Sequence, residues 1–105
     1  MWTKELFNTS KPIIAMCHLQ PMPSDPGYKK SGGMKKVLDA ARQDLLALQD
    51  GGVDGVMFSN EFSLPYLLRV KAVTTASMGR IIGELISEIK IPLGVNVLWD
   101  PFASL

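Results

Sequence analysis

Three apolar runs hand over to polar side chains, and those side chains are the ones with chemistry to offer. PIIAM is followed by Cys17 and His18. VDGVMF is followed by Ser59, Asn60 and Glu61. IPLGVNVLW carries Asn96 inside it and is followed by Asp100. His18 is the single histidine and Cys17 the single cysteine. A histidine and carboxylates at such points suit proton transfer to and from a bound molecule, which makes His18, Glu61 and Asp100 the candidate catalytic groups. Side-chain amides suit the holding of a hydroxyl or carbonyl oxygen, which makes Asn60 and Asn96 the candidate substrate-binding groups. Each also has a plainer role open to it. His18 can hydrogen-bond a backbone carbonyl, and Glu61 can cap a helix. Asp100 before Pro101 can close an Asx-turn or cap a helix, and Asn96 in a buried strand needs a partner in any case.

Alternation limits the combinations. Successive strand side chains point to opposite faces. Ile14, Met16 and His18 therefore share one face of the first strand, and Ile13, Ala15 and Cys17 the other. A regular strand therefore disfavours a Cys-His metal pair or nucleophile–base pair from these neighbours. Cys17 reads as a small buried apolar group. In the third run Gly94, Asn96, Leu98 and Asp100 share a face, and Val95, Val97 and Trp99 form a surface to pack under helices. No cluster of cysteine and histidine marks a metal site, no cofactor is indicated, and neither GxGxxG nor GxxxxGK[ST] occurs. SGGMKK resembles a phosphate-binding glycine loop only loosely.

The elements that must position these groups follow from periodicity. Residues 1–7 read as a lead-in helix with Trp2 and Leu6 on one face. Residues 13–17 read as a strand buried on both faces. Residues 20–33, with Pro21, Pro23, Pro26, Gly27, Gly32 and Gly33, read as a stiff loop. Met34, Val37, Leu38, Ala41, Leu45 and Leu48 predict a helix over 34–50 that ends at Gly51-Gly52. A strand follows over 53–58. Met78, Ile81, Ile82, Leu85 and Ile89 predict a second helix over 75–89 with Thr74 or Thr75 as N-cap. Gly79 and Gly83 either weaken that helix, by up to ~1 kcal/mol each against alanine, or serve instead to permit close packing on a sheet. The third strand runs over 91–99. The order β-α-β-α-β predicts an α/β fold with parallel strands and right-handed crossovers. In such sheets sites form at the carboxyl ends of the strands.

Composition is that of a globular protein, 47% hydrophobic and 20% charged, so a core can form. A net charge of +1 gives no electrostatic footprint for nucleic acid or an anionic membrane. The apolar runs are too short to insert in a membrane, the N-terminus lacks a signal-peptide core, and one cysteine fits a reducing compartment. A cytoplasmic chain is expected.

With these residues placed, the chain resembles the N-terminal part of the BtpA family over almost its whole length. MCHLQPMPSDPGY, GGVDGVMFSNEFSLPY, TTASMGRII and IPLGVNVLWDPFASL carry the resemblance. CHL, MFSNEFSLPYL and GVNVLWDP resemble the SgcQ-like branch in particular, which is associated with sugar-uptake gene clusters. The resemblance implies a (β/α)8 TIM barrel similar to the ribulose-phosphate-binding barrels. It also implies either a nucleosidase-like hydrolase of sugar, sugar-phosphate or nucleoside metabolism, or a biogenesis factor for a membrane complex of the photosystem I type. His18, Asn60 and Asn96 match the family pattern. Three positions depart from it: Ser59-Asn60-Glu61 stands where many members have Glu-Asn, Trp99-Asp100 where many have Arg-Asn, and Pro21-Met22-Pro23-Ser24 where PLPG is usual.

A full barrel takes about 250 residues and eight strands. Residues 1–105 are therefore expected to form a single partial domain, the N-terminal portion of a barrel, inactive alone. Its third strand would present an unpaired edge that favours self-association. The expected partner is a small sugar or nucleoside ligand. In the enzyme reading, His18 is the acid/base, Asn60 and Asn96 position substrate oxygens, and Glu61 or Asp100 is the second acid/base group.

Overall fold

In the computed structural model, which describes residues 1–105, the chain runs α1 (Trp2–Phe7), β1 (Ile14–His18), α2 (Tyr28–Ser31), α3 (Met34–Asp50), β2 (Gly55–Ser59), α4 (Ala72–Leu85), β3 (Leu93–Asn96) and α5 (Pro101–Ser104). A 3-10 turn, Ile86–Glu88, extends α4. The three strands form one parallel sheet in the order β1-β2-β3. Parallel pairing follows from the helical connections, because α3 and α4 carry the chain back to the start of the next strand. The fold is α/β, as the alternation of periods predicts.

Register sorts the side chains into two faces. Cys17, Phe58 and Val95 lie in one row across the sheet, and His18, Ser59 and Asn96 in the next. The first row and its companions Val56 and Val97 point to the helices. There they meet Val37, Leu38, Ala41 and Leu45 of α3 and Met78, Ile81 and Leu85 of α4, all buried. Each fully buried valine, leucine, isoleucine, phenylalanine or methionine among them contributes about 1.5–3 kcal/mol. Arg42 of α3 reaches both carboxylate oxygens of Glu88 at 3.2 and 3.1 Å, and Gln49 bridges the Glu88 carbonyl and the Lys90 amide. These contacts join the two crossovers at their outer edge. The Arg42–Glu88 pair is about a third exposed, so it contributes about 0–1 kcal/mol.

The other sheet face has no helix layer. Ile14 and Met16 remain 46% and 42% exposed there. At its amino end the ring of Phe7 from α1 sits on Gly55, so close that a Cβ at Gly55 would lie 2.7 Å from Phe7 Cε1. Phe7, not the exposed pair Trp2 and Leu6, is the residue that fastens α1 to the sheet.

Several boundaries differ from the sequence expectation. α4 begins at Ala72, three residues early. Neither Thr74 nor Thr75 caps it, since Thr74 is buried inside the first turn and its amide bonds the Lys71 carbonyl. β3 is only Leu93–Asn96. The Trp99 amide bonds the Leu67 carbonyl and the Asp100 amide bonds the Val97 carbonyl. These bonds turn the chain out of the sheet, so Trp99 ends 57% exposed, outside any helix-covered surface. Gly79 and Gly83 do not make room for the sheet, because a Cβ at either would meet nothing within 4 Å. No helix is long and apolar enough to cross a membrane.

Cys17 lies on the helix face with its Sγ 3.8 Å from the Ala41 carbonyl. Burial first, and the nearby charge of Asp44 second, push the thiol up to about 12. Almost no thiolate exists at pH 8, and thiolate is the reactive form. The native chain should therefore resist an aromatic disulfide reagent at pH 8 and react with one equivalent once unfolded. Rapid reaction of the folded chain would show that Cys17 is not held as described.

Candidate functional site

The row at the carboxyl edge is built by three strands at once. β1 ends on His18, β2 on Ser59 and β3 on Asn96, and pairing puts all three on the face without helices. Neighbouring strands lie about 4.8 Å apart, so the side chains are within reach of one bound molecule. His18 and Asn96 are half-buried, and neither side chain hydrogen-bonds to protein. Ser59 is fully buried and its Oγ has no partner. Phe62 stands edge-on to the imidazole, centroids 6.1 Å apart at 86°. Glu61, also half-buried, begins the turn Glu61-Phe62, which the Ser63 amide closes on the Asn60 carbonyl. The Glu61 carbonyl accepts the Tyr66 hydroxyl at 2.5 Å. Burial first, and then Glu61 through hydrogen bonding and charge, raise the Tyr66 phenol above its ordinary value.

The other two candidates are engaged by backbone. Asn60 is buried under the loop that follows β3. Its Oδ1 accepts the Leu98 amide at 2.7 Å and its Nδ2 donates to the Leu98 carbonyl at 3.3 Å. Asp100 caps α5, with Oδ1 accepting the Phe102 and Ala103 amides at 3.1 and 3.0 Å and Oδ2 the Val70 amide at 3.1 Å. Together these contacts knit the loop after β2 to the loop after β3. Tyr66 against Trp99, 5.2 Å between centroids, adds to the seam.

The Ala103 and Val70 amides, with Phe102 and the charge of Arg69 assisting, hold the Asp100 carboxyl below the usual range against the opposing effect of burial. A carboxylate with a depressed folded pKa stabilises the fold above its unfolded pKa of about 3.9, and that stabilisation is lost as pH falls through the folded value. The melting temperature should therefore drop below about pH 4, and Asp100→Asn should flatten that acid limb. Equal slopes for the two proteins in melts from pH 2.5 to 6 would remove Asp100 as its source.

Sequence reasoning did not single out Ser59 or Asp25. Asp25 Oδ2 accepts the Met22 amide at 2.7 Å and the Ser63 hydroxyl at 2.5 Å, tying the proline-rich first loop to the second. The Ser24-Asp25-Pro26 sequence is a turn signal that marks Asp25 locally, but its partner Ser63 is 38 residues away. For Ser59 the only signal was its position at a strand end. The largest hollow, about 410 Å³ and lined by Leu46, Gln49 and Ile91 among others, lies at the opposite, amino end of the sheet. Ligands in parallel α/β sheets gather at the carboxyl ends, so the row, not this hollow, is the candidate site.

The BtpA family description matches residues 9–105. The chain is 62% identical over 103 residues to the sgc region protein SgcQ of Escherichia coli, an overlap of 98% of this chain and 38% of that protein. It is 39% identical over 89 residues to an uncharacterized protein of Pyrococcus abyssi, 85% of this chain and 34% of that one. Over 95 residues it is 34% identical to the photosystem I biogenesis protein BtpA of Synechocystis, 90% of this chain and 32% of that one. The chain thus spans about a third of the length of these curated relatives. No solved structure matches it.

Proposed function

Because the chain belongs to the BtpA family, we propose that its sheet is the first part of a (β/α)8 barrel whose carboxyl-end face is an enzyme site for a sugar, sugar phosphate or nucleoside. One observation carries the reading: three strands deliver three polar side chains to one row, and none of the three is used by the fold. His18 is the acid/base group, moving a proton to or from the bond that breaks. Asn96 holds a substrate oxygen through its amide. Glu61, on the turn beside the row, is the second acid/base group. In a hydrolysis the base takes a proton from water as its hydroxyl adds to the sugar carbon, and the acid protonates the leaving group. Asn60 and Asp100 act at one remove, by fixing the loops that border the site. The remaining strands would cover Ile14 and Met16 and pair the free edge of β3. Without them that edge favours self-association.

The test is a turnover screen of nucleosides and sugar phosphates with a protein of the relatives' length that carries these residues. Release of a base or of phosphate is expected. No turnover of either class would overturn the enzyme reading. The 34% identity to a photosystem I biogenesis protein favours a second reading, a non-enzymatic factor for a membrane complex. Affinity capture that recovers no such complex would count against it.

A further inference from the structure

We propose that Ser59 is a ligand-binding residue, and that with His18 and Asn96 it recognises the hydroxyl groups of a small neutral ligand such as a sugar ring. The proposal rests on the reading of the row as a ligand site and names the chemistry that the row selects. A buried hydroxyl without a hydrogen bond is costly, and folded proteins retain few of them. Ser59 Oγ is such an atom, at 0% residue exposure. Its buried polar neighbours at this end of the sheet are all paired: Asn60 to Leu98, Ser63 to Asp25, Asp100 to three amides. The other unpaired buried oxygen, Thr3 Oγ1, belongs to α1, whose Phe7 lies on Gly55 at the amino end of the sheet. The unpaired hydroxyl thus falls between the two other side chains whose hydrogen-bonding groups the fold leaves free.

The residue types decide the ligand class. A serine hydroxyl and an asparagine amide both donate and accept, as a sugar hydroxyl does, and neither carries charge. Phosphate is recognised by several cations or clustered N–H donors, and the row offers only the His18 imidazole and the Asn96 amide for that task. Phe62, 44% exposed and edge-on to His18, offers an apolar surface to the carbon side of a ring. Ser59 Oγ is sealed in the free chain, so the ligand displaces a neighbour to reach it.

His18 is the only histidine, so its ring-proton NMR signals report on the row alone. This chain, wild type and Ser59→Ala, is titrated separately with ribose, galactose and inorganic phosphate, and the melting temperature of each protein is measured. The expected result is that a neutral sugar shifts the wild-type signals and that Ser59→Ala weakens its Kd about tenfold, the equivalent of about 1.4 kcal/mol. The melting temperature should stay unchanged or rise, because no hydrogen bond of the fold is removed. If sugars shift His18 with equal Kd in both proteins, the role of Ser59 is overturned while the site stands. A fall in melting temperature with no change in Kd would make the hydroxyl structural and overturn it likewise. A response to phosphate alone would overturn the neutral ligand class. No response to any probe would overturn the proposal together with the reading of the row as a ligand site, whereas the turnover screen tests the enzyme reading separately.

Discussion

Replacing His18 with alanine in a protein of the relatives' length is expected to lower turnover by about 10²–10⁴-fold, the usual contribution of a positioned acid/base group. Stability should change by about 1 kcal/mol or less. The two effects separate because the imidazole makes no hydrogen bond to the fold. Its aromatic contact is edge-on to Phe62, itself 44% exposed. Loss of turnover with an unchanged melting temperature would support the assignment. Unchanged turnover would remove His18 from the mechanism. A parallel fall in melting temperature would instead make it a structural residue of the carboxyl edge.

Asn60→Ala is expected to do the reverse, lowering stability by about 2–4 kcal/mol. Asn60 is 1% exposed, and both ends of its amide are paired with Leu98. Alanine would leave the Leu98 amide and carbonyl without these partners, at about 1–2 kcal/mol for each group that water does not reach. Asn60→Asp should recover only part of this, since it keeps the acceptor for the Leu98 amide but loses the donor and places a charge at a buried position. Urea unfolding of the three proteins reads the order directly. A shift of less than about 0.5 kcal/mol for Asn60→Ala would mean that the clamp does not hold the β3 loop. Asn60 would touch substrate rather than position the loop if the alanine protein kept its stability and lost turnover.

The contrast between these two residues shows what the sequence could express. His18 and Asn60 look alike as strand-end polar groups, yet one is free and the other is held by a residue 38 positions later. Asp100 is similar: its N-cap role is visible in Asp-Pro, but its bond to the Val70 amide, which lowers its pKa and ties two loops, is not. The early start of α4 and the short β3 share that origin. Both boundaries follow from bonds between loops, Leu67 with Trp99 and Val70 with Asp100, and not from local propensity.

By itself the sequence determined the alternation of strands and helices, the core faces of α3 and α4, and the placing of Cys17 and His18 on opposite sides of β1. Periodicities of 2 and 3.6 are local properties of the chain, so these features can be read along it. Only the tertiary structure decided which strand-end groups stand together and which are already bonded. Register set Ser59 between His18 and Asn96 and left its hydroxyl unpaired. Loop packing gave Asn60 and Asp100 their backbone partners. Register and long-range hydrogen bonds depend on residues tens of positions apart, and no local pattern encodes them.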